Sequence, residues 1–75
     1  MRITLFGQLA DLAGAGSLEV DAVKDTDALV EAVNSRYPVM AGASYKIAVD
    51  RKAINVNTVI AESSDLAFLP PFSGG

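Results

Sequence analysis

Residues 25–38 read Asp25-Thr26-Asp27-Ala28-Leu29-Val30-Glu31-Ala32-Val33-Asn34-Ser35-Arg36-Tyr37-Pro38, and this stretch decides what the chain can become. Leu29, Val33 and Tyr37 recur at intervals of four with Val30 beside them, which places one apolar stripe along a helix. Asp25 or Thr26 can accept hydrogen bonds from the unpaired amides of the first turn. Pro38 fixes the other end: its ring keeps the preceding residue out of helical geometry, and it has no amide to donate. The stretch predicts an amphipathic helix that stops before Pro38.

On both sides of that helix the period falls to two. Met1, Ile3 and Leu5 alternate with Arg2, Thr4 and Phe6 as in a half-buried strand, and Gly7 marks its end. Gln8 to Gly16 reads as a short helical turn and a glycine-containing connection, and Ser17 to Val23 as a second strand antiparallel to the first. After the helix, Tyr45 to Val49 resumes a strand, Asp50-Arg51-Lys52 breaks it, and Ala53 to Val56 returns as the other arm of a hairpin. Glu62 to Asp65 is a turn, and the final strand, Leu66 to Leu69, must end at Pro70. The order ββαβ(β)β describes an α+β domain with one main helix packed across one face of a mixed sheet. With the last strand parallel to the first and beside it, the arrangement is a β-grasp, the ubiquitin-like fold. Residues 1–69 form that domain in this reading, and residues 70–75 a flexible extended C-terminal tail.

A chain of 75 residues has room for a single core, and a hydrophobic share of 51% supplies it. No apolar run is long enough to span a bilayer, and Met1-Arg2 leads straight into a strand pattern, so the expected location is the cytoplasm and no membrane partner is expected. The formal net charge of −3 argues against nucleic acid as a partner. Lys46, Arg51 and Lys52 lie close in sequence and are candidates for meeting an acidic partner surface. The chain contains no Cys and no His, which removes thiolate metal sites and the usual nucleophilic triads. No phosphate-cradling glycine pattern occurs, and Asp25 and Asp27 fit a cap and a first helical turn better than acid–base work. The domain itself therefore offers no catalytic site and no metal or cofactor site.

The remaining chemistry is at the end, Leu69-Pro70-Pro71-Phe72-Ser73-Gly74-Gly75. Six residues follow the last strand and reach about 20 Å at most. Pro70 and Pro71 restrict the backbone to extended forms, which lowers the entropy lost on docking. Phe72 can anchor in an apolar groove, while Gly74 and Gly75 can thread a channel too narrow for any side chain. A carboxylate on Gly75 is a poor electrophile and would need activation by another enzyme, for example as an acyl-adenylate.

These residues make the chain similar to the small subunit of molybdopterin synthase, a ubiquitin-like sulfur carrier of molybdenum cofactor biosynthesis. The resemblance rests on Phe6-Gly7 with Leu9 and Leu12 after it, on the helix ending near Tyr37-Pro38, on Ile47 to Asp50, and above all on Ala67 to Gly75 with its Pro-Pro-x-Ser-Gly-Gly close. It implies that Gly75 is adenylated by a ubiquitin-activating-like enzyme that consumes ATP, then converted to a thiocarboxylate with sulfur from a donor protein. It further implies that Pro70, Pro71, Phe72, Ser73 and Gly74 insert into the large catalytic subunit, within a heterotetramer in which the present chain donates sulfur and catalyses nothing itself.

Three positions depart from the family's common pattern. Phe72 stands where a smaller aliphatic residue is frequent, Ser64-Asp65 replaces a Gly-Asp turn, and Asp50 replaces Asn. Three other functions compete: a sulfur carrier for thiamine or another sulfur-containing product, a protein modifier joined to target lysines through Gly75, and a plain binding module. The Pro-Pro element speaks against the first.

Overall fold

The structure, a computed structural model, describes residues 1–71. It consists of β1 (Arg2–Leu5), α1 (Gln8–Ala13), β2 (Ser17–Glu19), α2 (Thr26–Arg36), a 3₁₀ turn (Pro38–Met40), β3 (Lys46–Val49), β4 (Lys52–Ile54) and β5 (Leu66–Leu69). The five strands form one mixed sheet in the order β2-β1-β5-β3-β4. β5 runs parallel to β1, pairing Ile3 with Leu66 and Leu5 with Phe68, while β2, β3 and β4 join their neighbours antiparallel. This is the β-grasp arrangement, with α2 as the helix across one face.

The helix forms for the reasons its residues suggest. Asp25 is the N-cap, and its Oδ1 accepts from the Ala28 amide at 2.9 Å. Leu29 and Val33 are fully buried, and Arg36 is the last helical residue. They pack against Ile3, Leu5, Leu66 and Phe68, the inward-facing residues of the central strands, with Leu9, Leu18 and Met40 closing the cluster. Tyr37, expected at the end of the apolar stripe, is the helix C-cap instead. Its ring packs on the core, and its hydroxyl accepts from the Glu19 amide at 3.2 Å and donates to the Glu19 carbonyl at 3.1 Å.

Three boundaries differ from the sequence expectation. β2 stops at Glu19 rather than Val23, because its partner β1 begins at Arg2, opposite Glu19, and only Val20 still reaches back, to the Met1 carbonyl at 3.0 Å. β3 starts at Lys46, one residue after Tyr45, whose ring stacks on Phe68 with centroids 4.1 Å apart. The hairpin arm expected over Ala53 to Val56 is Lys52–Ile54, and Val56 is exposed. The 3₁₀ turn after Pro38 has a fixed-φ residue at its start, as such a turn favours, but periodicity alone does not announce it.

Candidate functional site

The exit of the C-terminal residues is built at the centre of the sheet. β5 lies between β1 and β3, so Leu69 pairs with Lys46 on one side while the Phe6 amide donates to the Phe68 carbonyl at 3.2 Å on the other. A proline at position 70 is compatible with this place because the ladder has ended there. Pro70 and Pro71 follow directly and are half-buried. Of the residues expected to act in the tail, these two are placed by the structure; Phe72, Ser73, Gly74 and Gly75 lie outside the described residues.

The side of the sheet away from α2 carries a groove of about 420 Å³ that leads to this exit. Its floor follows from register: Thr4 pairs with Ala67, Ala67 with Ala48, and Ala48 with Ala53, so small side chains line up across four strands. Phe6 and Leu69 stand at the end where the chain leaves, and Arg51 and Asp65 at the other. Phe6 remains 48% exposed, although it is one of the larger apolar side chains in the chain. Alternation within each strand marks these residues as outward-facing, but only the strand order brings them side by side.

At the polar end, Asp50 and Arg51 form the two-residue link of the β3–β4 hairpin, with φ of 51° and 69°. Both lie in the left-handed region that such a link requires, where Asn, Asp and Gly are the common occupants and arginine is strained. Asp50 offsets part of this cost: its Oδ1 accepts from the Asp65 amide at 2.9 Å, and its own amide donates to the Asp65 carbonyl at 2.7 Å. Asp thus serves at this position of the link through its side-chain oxygen. Ser64, the other departure in this region, accepts from the Ala61 amide at 2.9 Å through its hydroxyl and closes the preceding turn.

The basic residues do not form the cluster that their spacing suggests. Lys46 lies at the far end of β3 from the hairpin turn and, alternating with Ala48, belongs to the groove side. Lys52 pairs with core-facing Val49 and projects towards the helix side, while Arg51 stands 4.0 Å from Asp65. Two faces and an ion pair divide the charges.

Two tyrosines have shifted titrations, Tyr37 at the end of α2 and Tyr45 beside the end of β5. Tyr37 is held below its usual value of 10.0 by its hydrogen bond with the Glu19 backbone and by Arg36, whose Nε donates to the hydroxyl at 3.3 Å. Burial raises Tyr45. Among the described residues no cluster of His, Cys, Asp or Glu is arranged to hold a metal ion. No helix among them is long and apolar enough to cross a membrane.

A β-grasp domain that sends a Pro-Pro segment out from its central strand is of the ubiquitin-like class. The chain matches the ThiS family over residues 3–75 and belongs to it. Among solved structures it is similar to SAMP1 from Haloferax volcanii, at 27% identity and a TM-score of 0.79, covering 100% of this chain and 98% of that one. A second structure, of H. volcanii small archaeal modifier protein 1, gives 25% identity and a TM-score of 0.78 over 96% and 97%. Small archaeal modifier protein 1 from Methanosarcina acetivorans, at 24% identity and a TM-score of 0.71 over 99% and 94%, shares the fold. A search of curated proteins found no match.

Proposed function

We propose that the chain is the sulfur-carrying small subunit of molybdopterin synthase, acting through the carboxyl group of Gly75. The observation that supports this reading most is the family match, which runs through residue 75 and so includes the Gly-Gly end along with the fold. The Pro70-Pro71 element at the end of β5 adds to it.

In the proposed cycle the Gly75 carboxylate attacks the α-phosphorus of ATP held by an adenylating enzyme, and pyrophosphate leaves. A persulfide sulfur of a donor protein then attacks the acyl carbon of the adenylate and expels AMP. A thiol reduces the resulting acyl disulfide, which leaves the thiocarboxylate on Gly75 and a disulfide on the reductant side. Within the large subunit, the thiocarboxylate sulfur bonds to a carbon of the precursor pterin with displacement of an oxygen substituent, and water then cleaves the acyl carbon–sulfur bond, which leaves the sulfur on the pterin and restores the Gly75 carboxylate. Residues 1–69 serve as the rigid body that partners recognise, and residues 70–75 as the arm that enters them. The chain supplies a carrier for sulfur and no catalytic side chain, so a lack of Cys is no obstacle: the sulfur rides on the terminal carbonyl.

The test is an intact-mass measurement on the protein recovered from its own cells. Exchange of one oxygen for one sulfur in the C-terminal peptide is expected, together with loss of molybdopterin when the gene is deleted. A normal molybdopterin level in the deletion strain would overturn the assignment to that synthase, and an unmodified end in cells making the cofactor would overturn the thiocarboxylate.

A second reading is supported by the solved relatives that carry the name modifier. Here the activated Gly75 carbonyl is attacked by a lysine amine, with loss of AMP or of an intermediate thiol, to give an isopeptide bond. A ladder of conjugates on denaturing electrophoresis, absent when Gly75 is deleted, would establish it. The same activation step serves both outcomes, so a chain used for both would show the mass exchange and the ladder together.

A further inference from the structure

Gly7 has a conformation that the helix it precedes does not explain. Its φ of 58° and ψ of −134° lie where residues with a Cβ are strongly disfavoured, and as N-cap it contributes no side-chain hydrogen bond to α1. A Cβ built on Gly7 would stand 2.9 Å from Cγ of Pro70, closer than real Cβ contacts come, and 3.8 Å from its Cδ. The same construction at Gly14, Gly16 and Gly42 meets nothing within 4 Å. The bare α-carbon of Gly7 therefore forms a seat for the Pro70 ring, next to the hydrogen bond from the Phe6 amide to the Phe68 carbonyl.

We infer that Gly7 is a positioning residue for the C-terminal arm: by seating Pro70 it sets the direction in which the chain leaves the sheet. The inference rests on the carrier reading above. Proline fixes its own φ and confines Leu69 to extended backbone, so with the ring held against Gly7 few freedoms remain at the root of the arm. Five residues follow Pro70 and reach about 17 Å at most, so a change of about 20° at the root moves the end of a fully extended arm by about 6 Å. Group transfer suffers from misplacements far smaller than that. The seat lets a domain with no reacting side chain present its terminal carbonyl from a defined place.

The experiment compares the full-length native chain with Gly7→Ala, Pro70→Ala and the double variant, each produced in the protein's own cells in place of the native copy. Nuclear Overhauser contacts between the Gly7 α-protons and the Pro70 ring protons test the seat itself, without reference to sulfur. The thiocarboxylated fraction, read by intact mass after a pulse of fresh synthesis, tests its consequence. The contacts are expected in the native chain, and each single variant is expected to slow sulfur loading about tenfold or more. The double variant should load no more slowly than the slower single, because both changes break one contact. A residue with a merely structural role would lower the melting temperature without this coupling. Pro70→Ala lies beyond the last strand and keeps the test valid should Gly7→Ala not fold. Missing contacts in the native chain, loading by Pro70→Ala at the native rate, or losses that multiply in the double variant would each overturn the inference. A native chain that never carries sulfur would instead refute the carrier chemistry, and the seat would then stand or fall on the proton contacts.

Discussion

Replacing Thr26 with Val should destabilise the domain measurably while keeping its shape. Thr26 is the first residue of α2 and is 2% exposed. Its hydroxyl accepts from the Thr58 amide at 2.9 Å and donates to Asn57 Oδ1 at 3.3 Å, and its own amide donates to the Thr58 carbonyl at 2.9 Å. Asn57 Oδ1 keeps a second donor in the variant, the Asp27 amide at 2.9 Å, whereas the Thr58 amide loses its acceptor. An unsatisfied buried donor costs about 1–3 kcal/mol. The methyl group that replaces the hydroxyl recovers about 0.8 kcal/mol by burial, which leaves a net loss of about 0.2–2.2 kcal/mol. For a domain of this size that corresponds to a fall in Tm of about 1–18 °C. Urea unfolding and thermal melting followed by circular dichroism would measure the loss, and amide exchange would show protection falling first at Thr58. Thr26→Ser keeps both hydrogen bonds and should be the milder change. A Val variant as stable as the native chain, or a Ser variant weaker than the Val one, would refute this account of the helix start.

Leu29→Ala removes a fully buried side chain between α2 and the sheet and should cost about 2–5 kcal/mol, visible as a lower urea midpoint at unchanged slope. One alanine added after Gly75 shifts the reacting carbonyl by about 3.5 Å and should abolish sulfur loading in a reconstituted assay, with unchanged melting. In alkaline titration followed by near-ultraviolet absorbance, Tyr37 should ionise below 10.0 and Tyr45 above it, with Tyr37→Phe removing the earlier step. The sign for stability follows: the contribution from Tyr45 is complete below its unfolded pKa and lost as pH rises through its folded one. That from Tyr37 is present above its unfolded pKa and lost as pH falls through its folded one, so Tyr45→Phe should flatten the alkaline loss and Tyr37→Phe steepen it.

The elements legible in the sequence were those with a local cause. α2 could be read from its spacing, its cap and Pro38, and β5 was bounded correctly because Pro70 forbids a further ladder residue. The register was not legible, since an alternating strand specifies which residues share a face and not which neighbours they meet. That is why Lys46, Arg51 and Lys52 read as a patch, whereas pairing of Lys52 with Val49 sends it to the helix side of the sheet. The role of Thr26 was half-visible: as a helix-start residue it looked like a cap, but the cap is Asp25, and the Thr26 hydroxyl serves a loop more than thirty residues away.

The site divides along the same line. Gly-Gly behind Pro-Pro is a sequence signal because the chemistry proposed for it depends on what those residues lack: amide donors in the prolines, side chains in the glycines. What aims that segment is not in it. Phe6 and Gly7 belong to the other end of the chain, and they meet the exit because parallel pairing lays β1 beside β5. A Phe-Gly dipeptide at the end of a first strand looks like an ordinary stop signal until that pairing is known, after which the same glycine is the residue whose missing Cβ admits the Pro70 ring. In the proposed carrier chemistry the root of the arm is seated by residues distant from it in sequence, and the β-grasp topology makes this possible by laying the first strand beside the last.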